Sequence, residues 1–288
     1  MAADDLLSAL RDHGIDVLDR PARAVSGGSI SRTERFETPR GPIFVKLEPR
    51  AAADRLEAEA DGLAALRRAG AIALPEVLAH GVAGADAFLV VEWIEFAQKS
   101  REAERRLGTA LARLHRATGD AFGWHRDNYI GRTPQPNGRS EDWIEFFRER
   151  RLGHQLELAR ANGIGADVLA LGRALLDRLD AFFAGHTPAP SLLHGDLWGG
   201  NWGADANGTP FVYDPAVYYG DREADLAMTR LFGGFGDAFY RAYDEAWPPA
   251  PGRERRADLY NLYHLLNHFN LFGGGYRAQV LACLKRLV

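Results

Sequence analysis

A single cysteine, Cys283, stands in the 288 residues. It excludes an intramolecular disulfide and any cysteine-built metal cluster within one chain. Positive charge is not in excess either: the formal net charge is −4, which excludes the basic footprint of a nucleic-acid binder. No apolar run approaches the ~20 residues of a membrane span. The opening Met1–Leu6 is acidic where a signal peptide needs an apolar core. The expectation is a soluble, cytoplasmic protein with no nucleic-acid partner and no membrane partner. Cys/His zinc spacings and a G-x-S-x-G nucleophile elbow are also missing. His115 and His264 fall in apolar helical stretches and read as satisfied core histidines. Arg253, Arg255 and Arg256 sit among acids and read as a solvated helix face.

What is present is a change of period along the chain. Residues 1–19 suggest a short amphipathic helix through Leu6, Leu7 and Leu10. Residues 22–48 carry strand-like runs broken by Gly27-Gly28 and by Pro39-Arg40-Gly41-Pro42, as antiparallel strands joined by turns would. Residues 52–69 place Leu56, Leu63 and Leu66 at helical spacing, and Phe88–Ile94 is a continuous apolar strand. From about residue 101 the pattern turns helical, through Leu107, Leu111 and Leu114, then Trp143, Phe146 and Phe147, then Leu171, Leu175, Leu179 and Phe182. Two short strands, Leu192–Leu193 and Phe211–Tyr213, interrupt before helices resume near Arg222. The expected class is α+β with two lobes, a sheet-rich part over residues 1–94 and a larger helical part over 95–288. They join near Glu92–Phe96, and a cleft between lobes is a favoured ligand site.

The chemistry concentrates in Leu193–Gly203, L-H-G-D-L-W-G-G-N-W-G. Asp196 precedes Asn201 by five residues, and a second acid, Asp214, ends Phe211-Val-Tyr-Asp. An acid that receives a hydroxyl proton, with an amide and an acid holding a divalent metal on nucleotide phosphates, is a phosphoryl-transfer set. An ordinary carboxylate is a weak base, so alignment of the hydroxyl can be its main task. His194 reads as a structural residue of the loop. Asp225 opens an apolar helix; it either binds backbone amides of the loop or is a first-turn acid favoured by the helix dipole.

Upstream, Ile43-Phe-Val-Lys-Leu47 alternates so that Phe44 and Lys46 share one strand face. Lys46 is either an edge-strand guard or a point charge for phosphates. Glu59 belongs to the apolar stripe of the 52–69 helix, where an acid needs a partner, and Lys46 is the cation placed to supply it. Glu57 points about 160° away and reads as solvent-facing. Gly27, Gly28 and Ser29 precede the Lys46 strand, and adjacent glycines let backbone approach phosphate.

The chain resembles the fructosamine-3-kinase (ketosamine-3-kinase) family, within the protein-kinase-like group that also holds aminoglycoside phosphotransferases and choline kinases. The resemblance rests on His194–Asn201 as H-G-D-L-W-G-G-N and on Tyr213–Asp221 as Y-D-P-A-V-Y-Y-G-D. It rests further on Phe122-Gly-Trp-His, Pro134-Gln-Pro-Asn137, Phe232-Gly-Gly-Phe235 and Asn267–Gly273. It implies a two-lobed kinase-like fold and ATP-dependent phosphorylation of the sugar O3 of a ketosamine, in deglycation repair. ATP and Mg²⁺ are the implied cofactors. Asp196 would be the base, and Asn201 and Asp214 the metal ligands. Gly27, Gly28, Ser29, Lys46 and Glu59 would serve the phosphates, and the backbone at Glu92, Trp93 and Ile94 the adenine. Trp198 and His268 would line the acceptor pocket, an indole face suiting the C–H face of a sugar. The acceptor would be a small ketosamine or a glycated protein lysine, and the protein a monomer or weak homodimer. Some family members carry cysteine where this chain has Ser29, so a loop-to-loop disulfide is not expected here. A kinase for another small hydroxyl compound, such as an aminoglycoside or choline, is the alternative. An inactive nucleotide-binding homologue is the third reading.

Overall fold

A computed structural model describes residues 2–25 and 31–288. The expected phosphate-loop residues Gly27, Gly28 and Ser29 lie outside the described residues.

The chain opens with α1 (Ala2–Asp12), then β1 (Arg23–Ala24), β2 (Arg32–Thr38) and β3 (Gly41–Pro49). Helix α2 (Ala53–Ala69), β4 (Val77–Ala83) and β5 (Asp86–Glu92) complete the first lobe. The strands form one antiparallel sheet in the order β1-β2-β3-β5-β4. Both sheet faces are covered, which is why Phe88–Val91 is apolar at every position. Val45, Leu47, Phe88 and Val90 pack with Leu6 and Leu10 of α1. Leu89 and Val91, with Phe44 beside them, turn the other way toward Leu56 and Leu63 of α2. The alternation at Phe44–Leu47 therefore sends Lys46 to the α2 side. Helix α2 stops where Gly70 adopts a left-handed conformation at φ 62°. Strand β4 was not apparent in the sequence: as an edge strand it exposes Leu78 and Val82 and has no continuous apolar run.

The crossing falls between Glu92 and Ala97, whose N–H already donates to Ala204 of the second lobe (2.8 Å). There α3 (Arg101–His115) starts at Ser100, whose side chain accepts from Ala103 N–H. A hairpin follows, β6 (Asn128–Ile130) with β7 (Thr133–Gln135). The stretch expected as one helix from Trp143 is α4 (Trp143–Phe146), a π-helical turn over Phe147–Gly153, and α5 (His154–Ala161). The π turn carries Arg151, which is fully buried. Helix α6 (Ala166–Leu176) ends earlier than its leucine spacing suggested; Leu179–Phe182 form a 3₁₀ turn.

Strands β8 (Ser191–Leu193), β9 (Trp202–Ala204), β10 (Pro210–Val212) and β11 (Tyr218–Gly220) frame the segments that carry Asp196, Asn201 and Asp214. Strand β8 pairs with β11 and β9 with β10, so the two segments read as strands in the sequence are not each other's partners. Helices α7 (Glu223–Leu231), α8 (Asp237–Ala246), α9 (Arg253–Phe272) and α10 (Arg277–Leu287) finish the lobe. One expectation on α9 is corrected. Arg256 is buried, not solvated, and makes two hydrogen bonds to the Glu223 carboxylate (2.7 and 3.1 Å). Among the core histidines, His115 is satisfied by Tyr243 and Asp225, but the Nδ1 of His264 is buried without a partner among the described residues. No helix among the described residues is long and apolar enough to cross a membrane.

Candidate active site

One cleft of about 750 Å³ separates the lobes. Lys46, Glu59, Glu92, Trp93, Ile94, Asp196, Trp198, Asn201, Asp214 and His268 all line it. The residues singled out from sequence within the described chain are thus brought together.

Lys46 leaves β3 and reaches across the cleft. Its Nζ donates to Glu59 Oε1 and to Asp214 Oδ1, both at 2.6 Å. Burial pulls its pKa down, but Asp214 and Glu59 outweigh burial and leave it above the ordinary lysine value. Burial raises Glu59, and the opposing pull of Lys46 only partly offsets it. Lys46 therefore ties α2, β3 and the second lobe to one point, and it is no edge-strand guard: β3 is flanked by β2 and β5.

The loop from His194 to Asn201 is held from below. Asp225, in the first turn of α7, accepts from the N–H groups of His194 and Gly195 (both 2.8 Å) and pairs with His115 Nε2 (3.1 Å). Of the two readings of Asp225, the amide-binding one describes it. Burial pushes its pKa up, yet His115, His194 and the Gly195 amide bring it below the ordinary carboxylate value. Burial lowers the pKa of His194 and keeps it neutral. Its Nδ1 accepts from Asp196 N–H (3.3 Å) and its Nε2–H donates to Tyr213 O (3.0 Å), so it staples the loop to the strand before Asp214. Gly195 has φ 83°, and a Cβ there would lie 2.0 Å from the Ala216 carbonyl oxygen.

Asp196 sits part-buried above this platform. Burial, then the nearby Asp214 and Asp225, push its pKa up to about 7, against a hydrogen bond from Asn201. Its proton is therefore held to a higher pH than that of an ordinary carboxylate. Asn201 Nδ2 donates to the Asp196 carbonyl (2.9 Å) and carboxylate (3.3 Å). That leaves the amide oxygen of Asn201 without a hydrogen bond from the described residues. Asp214 is the only non-glycine described residue at positive φ (58°). That strain is typical of functional sites, and its side chain is 44% exposed in the cleft. When Glu59, Asp196 and Asp214 are all ionised, Lys46 balances one charge and two negative charges remain. Hard oxygen donors with that surplus fit a Mg²⁺ ion. Among the described residues a closer-set group, His186, Asp221 and Glu223, lies outside the cleft, and Arg256 and Tyr260 already bond its carboxylates.

On the linker, Glu92 N–H is used by Glu76 O (2.8 Å), and the Glu92 carboxylate accepts from Glu76 N–H (3.3 Å). The N–H groups of Trp93, Ile94 and Glu95 donate to no described residue, so that edge of backbone is open to a ligand. Trp93 is fixed by Arg35 over its ring (4.8 Å) and by Glu95 on its Nε1 (2.9 Å). Trp198 lines the cleft and is 39% exposed, so it is not a core residue. His268 donates from Nδ1 to His264 O (2.8 Å) and is ringed by Phe232, Tyr276 and Phe272 at 4.7–5.6 Å. Burial lowers its pKa, so Nε2 is an acceptor.

Sequence reasoning missed Lys99, whose Nζ donates to Gly199 O (2.6 Å) over the Trp202 ring, and Phe96, which lies against Tyr213 (5.4 Å). Neither has a local signal; each is defined by a partner about a hundred residues away.

A five-stranded sheet over a helical lobe, a strand lysine on a helix glutamate, and an acid–amide–acid set beneath them define a protein-kinase-like phosphotransferase fold. A choline kinase from Streptococcus pneumoniae shares that fold at TM-score 0.69 and 13% identity, over 99% of this chain and 100% of that one. The chain belongs to the fructosamine kinase family, whose model matches residues 5–288. It is 44% identical over 265 residues to a probable ketoamine kinase of Synechocystis, covering 92% of this chain and 89% of that one. It is 41% identical to a chloroplastic protein-ribulosamine 3-kinase of Arabidopsis thaliana, covering 91% and 80%. A crystal structure of a putative fructosamine-3-kinase from Thermobifida fusca superposes at TM-score 0.87 with 33% identity, covering 98% of each chain.

Proposed function

We propose that the protein is an ATP-dependent ketosamine kinase that phosphorylates the sugar O3, acting in deglycation. The observation that carries this is the convergence of Asp196, Asn201 and Asp214 on one cleft wall with Lys46 anchored opposite. Lys46, held by Glu59, would grip the nucleotide phosphates, and the open linker backbone at Trp93–Glu95 would receive adenine. Asn201 and Asp214 would hold Mg²⁺, which when bound neutralises charge on the phosphates. Asp196 would accept the proton of the acceptor hydroxyl as that oxygen bonds to the γ-phosphorus and the bridging P–O bond to ADP breaks. Its pKa near 7 supports that role.

The acceptor side of the cleft supports a sugar on an amine. Beyond Asp196 it is lined by Trp198, Asn267, His268, Leu271 and Phe272, and none of these five is an acid. A polycationic aminoglycoside would want carboxylates there. A glycated amine needs one apolar face for the sugar and an apolar path for the arm beyond it. A phosphate on C3, beside a ketone that can enolise toward C1, is a good leaving group; its elimination leaves the nitrogen on C1 as an imine, and water hydrolyses that imine to the free amine and a dicarbonyl sugar. The protein is further proposed to act in the cytoplasm, on small ketosamines or glycated protein lysines.

The test is a panel of ribulosamine, fructosamine, an aminoglycoside and choline, with ATP and Mg²⁺. Ketosamine turnover with phosphate on O3, located by ³¹P–¹H NMR, is expected. Phosphate on another oxygen, or turnover of the aminoglycoside or choline alone, would reject the reading.

A further inference from the structure

Two sequence motifs have no task in the cleft, Phe122–His125 and Pro134–Asn137. The fold brings them together. Gly123 exchanges backbone hydrogen bonds with Tyr219 (2.9 and 2.8 Å), and Trp124 N–H donates to Asn137 O (2.9 Å). The Asn137 side chain donates to Arg126 O (3.2 Å) and Asn128 Oδ1 (2.7 Å), and its N–H donates to Asp127 (2.7 Å). The buried Arg151 donates in turn to Asn137 Oδ1 (2.7 Å). Residues 123–137 are thus a strap fixed to the second lobe.

The side chains leaving this strap reach the first lobe at one element, α2. Trp124 Nε1 donates to Asp61 Oδ2 (2.8 Å), with His125 Nε2 3.3 Å from the same oxygen. Arg126 pairs with Glu57 (3.0 Å) and with Asp54, and the Tyr129 hydroxyl donates to Asp54 Oδ2 (2.9 Å). Asp54, Glu57 and Asp61 follow i, i+3, i+7 spacing and share a helix face. Glu57, which the sequence placed in solvent, is exposed but engaged. Glu59 leaves α2 on another face, toward Lys46, so the helix is gripped from two sides.

We propose that Trp124 and Arg126 are positioning residues that hold α2, and through it Glu59, where Lys46 stays aimed at the nucleotide phosphates. The inference rests on the nucleotide site proposed above. An exposed ion pair adds little to stability by itself. Several anchors on one helix supply position, and small misplacements of a phosphate-binding group cost large rate factors. A helix braced in this way needs no partner protein to bring its glutamate inward.

The test is a cycle on the full chain with Trp124→Phe/Arg126→Met, Glu59→Gln, and all three combined. The brace variant is expected to lose about tenfold in kcat/KM for ATP, with the acceptor KM and the unfolding temperature little changed. Hydrogen exchange in α2 should rise. In the Glu59→Gln background the brace substitutions should cost less than about twofold more, because their effect passes through Glu59. Full multiplication of the two losses, or an unchanged kcat/KM for ATP in the brace variant, overturns the proposal. Should the double variant misfold, Trp124→Phe alone keeps an aromatic ring, removes only the Asp61 hydrogen bond among the polar anchors, and carries the same cycle. Should no ketosamine be turned over, the cycle is read on Mg²⁺-dependent ADP affinity, which needs no acceptor and separates failure of the brace from failure of the proposed substrate.

Discussion

Replacing Asp196 with asparagine should make the protein more stable and inactive. The side chain is part-buried among Asp214 and Asp225, and its pKa is lifted from 3.8 to about 7. Between those two values the folded protein binds the Asp196 proton more tightly than the unfolded chain does. The contribution of Asp196 to stability therefore falls as pH rises from about 4 through about 7. At ~1.36 kcal/mol per decade, charging it in the fold costs at most ~4 kcal/mol above pH 7. Solvent at the cleft mouth screens part of that, and ~1–2 kcal/mol is the expected gain from Asp196→Asn. For a chain of this size that gain corresponds to a rise of ~2–6 °C in unfolding temperature at pH 8. The gap should close as pH falls to 4, where the wild-type carboxyl is neutral in both states. Turnover should fall by ~10³ or more, since positioning and charge handling dominate this chemistry. Thermal unfolding across pH 4–8, with turnover measured on the same preparations, tests both halves. An asparagine variant less stable than wild type at pH 8, or near-normal turnover, would refute the reasoning.

Other substitutions follow from the same contacts. With Asp196 as the base, kcat/KM should climb with pH through an ionisation near 7 and move to lower pH as Mg²⁺ is raised; a flat profile from pH 6 to 8 would count against it. Lys46→Met leaves Glu59 and Asp214 facing each other unpaired, and should cost ~1–3 kcal/mol by denaturant unfolding together with nucleotide affinity. Asp225→Asn cannot accept from both His194 and Gly195 amides while pairing His115, so kcat should drop ~10–100-fold with little change in KM. Gly195→Ala places a Cβ against the Ala216 carbonyl and should lower both the unfolding temperature and turnover.

The sequence by itself determined the elements whose signal is local. Strand alternation sent Lys46 to the α2 side, helical spacing put Glu59 in the apolar stripe, and the run from His194 to Asn201 carried its chemistry in its own spacing. Period and residue type act over a few residues, so they survive in one dimension. The edge strand β4 did not, because His80-Gly81 cuts Val77–Ala83 into apolar pieces too short to mark a strand. What only the tertiary structure decided depends on groups far apart in the chain. Lys46 meets Asp214 across 168 residues, and Arg256 is buried because Glu223 lies 33 residues before it. The Asp196 carboxyl is lifted toward neutral pH because folding removes water and places two other carboxylates nearby. Trp124 and Arg126 acquire a role because a strap of the second lobe lands on one face of α2. Burial and electrostatic coupling act through space, and they come into being with the packed chain.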